Sequence, residues 1–142
     1  MLICGDFQSI RDPHDLQNMA CPAKYLQMGD FPLYYSGEKK APYLTIFIGG
    51  NHEASNYLQE LYFGGWVAEN IYYLGHSGVI RIKKGDLEFK LGGISGIFHE
   101  KDFFVCRNLN KMPFDGFVKR SVYHTREMEI LKLGLVIRKL TI

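Results

Sequence analysis

Cysteine is scarce in this 142-residue chain, and long apolar runs are missing. The three cysteines, Cys4, Cys21 and Cys106, are an odd number with no CxxC pair. That excludes a disulfide framework and a zinc-finger ligand set, fits a reducing compartment, and leaves no disulfide partner to expect. No apolar run approaches the roughly 20 residues of a membrane-spanning helix, so no membrane partner is expected. The opening Met1-Leu2-Ile3-Cys4-Gly5-Asp6 turns polar too soon for a secretion signal. Charge of one sign is also lacking. Lys plus Arg is 17 against 15 Asp plus Glu, a net charge of +2. Such a field does not by itself hold nucleic acid, and an RNA-binding protein of this charge needs a local basic patch. What is present is ordinary globular composition, 46% hydrophobic and 23% charged, with aromatics high at 14%. Aromatic rings build cores and also stack on unpaired bases.

Apolar patterning outlines alternating strands and helices. Leu2 to Cys4 reads as the end of a buried strand, with Cys4 in the core and further strands expected beside it. Residues 11–19 form a short helix or loop ended by Pro22, and residues 24–35 are aromatic and irregular. Residues 43–48, Tyr-Leu-Thr-Ile-Phe-Ile, are the clearest strand, a continuous apolar run suited to burial on both faces. Gly49-Gly50 breaks it, residues 54–62 read as a helix, and Gly64-Gly65 closes that segment. Short strands follow at 71–74, 79–83 and 87–91, the last two forming a hairpin around Lys84-Gly85-Asp86. Gly92 to Gly96 is a glycine-rich strand exit, and residues 99–115 read as a long loop. A helix over 117–133 is expected to stop at Gly134.

Two polar motifs sit where strands end, which is where α/β folds bind ligands. Gly5-Asp6 offers a carboxylate after a tight turn; the common alternative is a turn or cap aspartate. Gly50-Asn51-His52-Glu53 is more specific. The Asn51 carboxamide is a neutral oxygen ligand, and a histidine beside it is suited to holding or donating a proton. Glu53 is expected in the first turn of the next helix, favoured by its dipole. Together the motifs suggest phosphoester hydrolysis, in which bound cations activate a water and clamp phosphate oxygens. Of the other histidines, His14 and His99 read as solvated, His76 as a turn residue, and His124 as a packing residue beside Tyr123 and Arg126. Lys39, Lys40, Lys83, Lys84, Lys119 and Arg120 read either as phosphate contacts or as solvated surface charge.

Cys4-Gly5-Asp6-Phe7-Gln8 followed by Gly49-Gly50-Asn51-His52-Glu53 resembles the signature of calcineurin-like metallophosphoesterases. Longer blocks resemble the lariat RNA debranching enzymes in particular. They include Tyr34-Tyr35-Ser36-Gly37-Glu38-Lys39-Lys40, Gly64-Gly65-Trp66-Val67-Ala68, Gly92-Gly93-Ile94-Ser95-Gly96-Ile97-Phe98 and Ser121-Val122-Tyr123-His124-Thr125-Arg126. The resemblance implies a mixed α/β fold, part of an αββα sandwich. It implies metal-dependent hydrolysis of the 2′–5′ phosphodiester at the branch point of excised intron lariats, during mRNA processing in the nucleus. Divalent ions (manganese, zinc or iron) are the implied cofactors and branched lariat RNA the implied partner. By the same resemblance Asp6 and Asn51 are metal ligands and His52 the catalytic histidine. Gln8, Ser95, Tyr123, His124 and Arg126 become substrate-binding candidates, the last four within a recognition loop spanning about 95–126.

The match departs from the family pattern in four places. The family's upstream Cys and His ligands and its downstream Ser-His-Asp and His-x-His segments are not in these residues. Residues 104–110 lack the usual Cys-Pro-Pro pattern. Residues 134–142 diverge, so the expected division is a family domain over 1–133 and a tail over 134–142. With only Asp6 and Asn51 from the ligand set, the chain alone is expected to be inactive, because each cation takes about four to six donors. Two alternatives stand beside this reading: a non-catalytic family member, and a metallophosphoesterase acting on another phosphodiester.

Overall fold

A computed structural model describes residues 1–107 and 114–139. Within them lie two β-sheets flanked by helices, the mixed α/β architecture expected of a partial sandwich. The larger sheet holds β1 (Leu2–Cys4), β2 (Thr45–Ile48), β3 (Gly65–Ala68) and β4 (Ile71–Tyr73) in the order β1-β2-β4-β3. β1, β2 and β4 run parallel, and β3 pairs antiparallel with β4. Of the run at 43–48, residues 45–48 become the inner strand, with Ile46 and Phe47 buried, while Tyr43 and Leu44 precede it and are exposed. β1 lies at the sheet edge, and this overturns one expectation: Cys4 is exposed, not in the core. β3 was not legible, since its Gly65 reads as a helix stop.

Helices α1 (Pro13–Gln17), α2 (Phe31–Tyr35) and α3 (Ser55–Glu60) accompany this sheet. Asp12 caps α1 by accepting from the Asp15 N–H, and Pro13 starts it. The core gathers Ile10, Met19, Phe31, Phe47, Tyr57, Leu58 and Tyr73. Inside it Phe7 stacks on Phe47 with ring centroids 4.2 Å apart, and Phe47 meets Tyr73 at 5.1 Å. Beside it Asp15 is fully buried and satisfied by charge. It takes Arg11 on both oxygens and the Asn56 side chain at 2.5 Å, while Arg11 continues to Glu60. The Arg11 bonds hold the Asp15 carboxyl below the usual carboxylate range although burial pushes it up.

The second sheet is the expected hairpin, β5 (Ser77–Lys84) with β6 (Leu87–Ile94), turning at Gly85 in the left-handed region. β6 continues through the glycines read as a strand exit. A short α4 (Glu100–Phe103) lies where only loop was expected. The helix expected over 117–133 is two: α5 (Gly116–Ser121), capped by Asp115, and α6 (Glu127–Lys139). The chain breaks between them because His124 bridges Ile97, and the Thr125 N–H donates to the Ile97 carbonyl. Gly134 does not stop α6, which runs through it beside the hairpin. A helix-interior glycine weakens a helix by only about 1 kcal/mol. Among the described residues no helix is long and apolar enough to cross a membrane.

Candidate functional site

Parallel pairing brings the two polar motifs together. Cys4 lies level with Ile48 across β1 and β2. Two residues beyond each strand tip are Asp6 and Gly50, so the chain exits face one another. Gly5, Asp6 and Gln8 all have left-handed backbones, with φ of 121°, 51° and 60°. Two of these are not glycine, a conformation that costs energy and concentrates at functional sites. Gly50 needs to be glycine, since a Cβ there would sit 2.2 Å from the Asp6 Oδ1.

The Asp6 carboxylate lies on the second motif. Its Oδ1 accepts the His52 backbone N–H at 3.0 Å, and its Oδ2 is 3.2 Å from the His52 ring Nδ1. Both side chains are about two-fifths exposed, so the pair is reachable from solvent. Asn51 sits half-buried between Gly50 and His52. Asp6, Asn51 and His52 are thus assembled on one surface loop pair.

Glu53 holds the pair in register. It does not lie in the next helix, as expected; α3 starts at Ser55, and the Glu53 side chain reaches back instead. One carboxylate oxygen accepts the Phe7 N–H and the Gly50 N–H, each at 3.0 Å, and the other accepts the Gln8 N–H at 2.9 Å. One buried carboxylate therefore ties both exits together and braces the left-handed segment. Burial above all pushes its carboxyl up to about 7, against the pull of the three N–H donors, with the Asp6 charge adding to the rise. The tetrapeptide signalled Glu53, but nothing local revealed that its partners lie 45 residues upstream.

The remaining candidates divide. Gln8 belongs to this loop through its backbone, and it also borders a different cleft, among Phe7, Phe31 and Tyr34. Ser95 lies behind the loop. Its hydroxyl accepts the Gly49 N–H and donates to the Gly75 carbonyl, so it anchors the β2 exit. Tyr123 shares a small cleft with Gly49, Gly50, Glu53 and Ser95. His124 is buried on Asp102, its Nδ1 2.5 Å from the carboxylate. Arg126 is buried too, donating to the Ser121 and His124 carbonyls. His99 is not simply solvated: it stacks on His124. His76 is buried at the turn predicted for it, its Nε2 2.7 Å from the Gln59 side chain, and burial pulls it down to about 3. Residues 108–110, part of the departure from the family pattern, lie outside the described residues.

Asp6 and Asn51 fit a divalent cation in chemistry, being a half-exposed carboxylate and a carboxamide, both hard oxygen donors. Glycine at position 50 leaves the carboxylate room that any side chain would take. In number they fill one edge of a coordination shell.

No family model matches the chain. Comparison with curated proteins finds lariat debranching enzymes. The chain is 56% identical to that of Danio rerio over 133 residues, covering 94% of this chain and 22% of the relative. It is 56% identical to that of Drosophila melanogaster over 134 residues and 55% to that of Gallus gallus over 137, each covering 94% of this chain and 24% of the relative. Each match extends over 94% of this chain and is not confined to short signatures. The chain spans about a quarter of the length of these curated relatives, and over nearly all of its own length it is similar to that part of the lariat debranching enzymes.

Proposed function

We propose that this chain contributes the central part of the hydrolytic site of a lariat-debranching phosphodiesterase, with Asp6 and Asn51 as cation ligands and His52 as proton donor. The observation that carries the proposal is the Asp6 carboxylate held on the Gly50-Asn51-His52 loop at adjacent parallel strand tips. The substrate is branched RNA, and the bond broken is the 2′–5′ phosphodiester. When bound, divalent cations (manganese, zinc or iron) activate a water and screen the phosphate charge. The chain's own residues do the rest. Asp6 and Asn51 orient the ions. His52, beside Asp6 and open to solvent, hands a proton to the departing 2′-oxygen, which would otherwise leave as an alkoxide. Glu53 keeps the two loops at fixed spacing. Phe98 and Phe104, 69% and 74% exposed, lie in the segment 97–126 and offer faces for unpaired bases. A nuclear location follows from the substrate.

Placing residues 1–133 in the zebrafish relative, in place of its matching segment, tests the reading. The exchanged protein is expected to open a branched RNA. Asp6→Asn and His52→Ala in it are expected to lower the rate by about a hundredfold or more. The 142-residue chain alone is expected to show no turnover, since these loops supply two cation donors. Undiminished debranching by the Asp6→Asn and His52→Ala proteins would overturn the assignment.

A further inference from the structure

We infer that His99, Asp102 and His124 form a second cation site, for a borderline transition metal such as Zn²⁺, which ties together the ends of the segment 97–126. The ligand atoms of these three residues lie within 4.8 Å of one another. His99 and Asp102 are one helical turn apart at the start of α4 and so share a face. His124 arrives from the other end of the segment, brought in by its bridge to Ile97. Both ring Nδ1 atoms face the same carboxylate oxygen, His124 at 2.5 Å and His99 at 3.6 Å. The rings stack in parallel, 4.4 Å between centroids and 10° between planes.

One N–H satisfies that oxygen, and the second histidine at 3.6 Å is too far for a hydrogen bond. Two imidazole nitrogens and one carboxylate oxygen are instead the donor set of a zinc ion with a fourth position open. A ligand's lone pair lies in its ring plane, so two parallel rings cannot both address one ion. His99 must turn to bind. Its side chain is 47% exposed and free to do so, while Asp102 and His124 are held in place, Asp102 also by the Ser121 side chain. Binding moves the His124 proton from Nδ1 to Nε2 and leaves the ring neutral. Arg126 lies close enough to oppose a cation, so the site is weaker than a four-ligand structural zinc centre. A neighbouring set, Asp12, His14 and Asp15, does not compete, because both Asp15 oxygens are already taken by Arg11 and Asn56.

The test first removes the donors proposed for the hydrolytic site, and the His99 variant then distinguishes this site from the remaining thiols and carboxylates. In the full chain carrying Asp6→Asn, Asn51→Ala and His52→Ala, calorimetric titration with ZnCl₂ is expected to show one bound equivalent. Adding His99→Ala, a half-exposed position, is expected to weaken binding about 10- to 100-fold. Asp102→Asn serves as the second variant. With Co²⁺, the ring-proton resonances of His99 and His124 are expected to broaden while those of His14 do not. No binding at submillimolar metal, binding that His99→Ala leaves unchanged, or broadening confined to His14 would each overturn the inference. None of these outcomes bears on Asp6, Asn51 and His52, which are absent from the protein tested.

Discussion

Glu53→Gln is the sharpest probe of how the site is held. Glutamine keeps the shape of glutamate, and its one carbonyl oxygen can still accept the Phe7 and Gly50 N–H groups. Its amide NH₂ then faces the Gln8 N–H, donor against donor, where the carboxylate accepted at 2.9 Å. Losing one bond to a charged acceptor costs about 1.5–3 kcal/mol. Removing a buried charge returns part of this, because burial has already pushed the carboxyl up to about 7. The net loss is about 1–2 kcal/mol, a fall in Tm of roughly 3–8 °C for a chain of this size. Glu53→Ala loses all three bonds and leaves a void, so it is expected to cost about 3–5 kcal/mol. Thermal unfolding followed by circular dichroism measures both. Amide hydrogen exchange adds a local readout: in Glu53→Gln, protection of the Gln8 amide should fall before that of Phe7 or Gly50. If Gln8 exchange is unchanged and Tm moves by less than about 1 °C, the carboxylate is not the clamp described here.

Gly50→Ala should displace the Asp6 carboxylate, since the added Cβ would lie 2.2 Å from its Oδ1. In the zebrafish exchange protein it should lower turnover at least as much as Asp6→Asn and lower Tm as well, since the Cβ would also lie 2.8 Å from the Asp6 backbone nitrogen. His76 gives a pH dependence. Its ordinary value is 6.5 and burial pulls it to about 3. Between these the unfolded chain takes up a proton that the folded chain refuses. Stability from this residue is therefore intact above pH 6.5 and lost as pH falls, at about 1.4 kcal/mol per unit. Denaturant midpoints between pH 6.5 and 5 should fall less steeply in His76→Gln. Arg107 and Glu129 form a buried ion pair, both side chains under 10% exposed. Arg107→Ala leaves Glu129 uncompensated and should cost about 3–5 kcal/mol, measured by urea denaturation.

Much of the site could be read without coordinates, because it is built from local signals. The apolar run at 43–48 declared a strand, of which 45–48 forms, the glycines declared its end, and the polar residues between glycine and helix marked the candidate site. What stayed hidden depends on partners distant in the chain. Glu53 reads as a helix-start acid until Phe7 and Gln8 are seen beside it. Ser95 reads as a loop hydroxyl until it is found between Gly49 and Gly75. The helical spacing after residue 117 was real, but spacing alone could not show that the bridge from Ile97 to His124 would split it. Cys4 was assigned to the core from the habits of free cysteine, yet its strand lies at the sheet edge. His99 reads as solvated; neither its approach to Asp102 nor the return of His124 to the same oxygen was legible.

The level alignment of Cys4 with Ile48 sets a strict rule for length. Each strand advances about 3.3 Å per residue, so one inserted or deleted residue in either exit would slide one loop past the other by that distance. It would also turn the displaced side chain toward the opposite side of the sheet. Substitutions at the surrounding positions are tolerable where size is kept, but changes in spacing between strand tip and acid, or between strand tip and amide, are not.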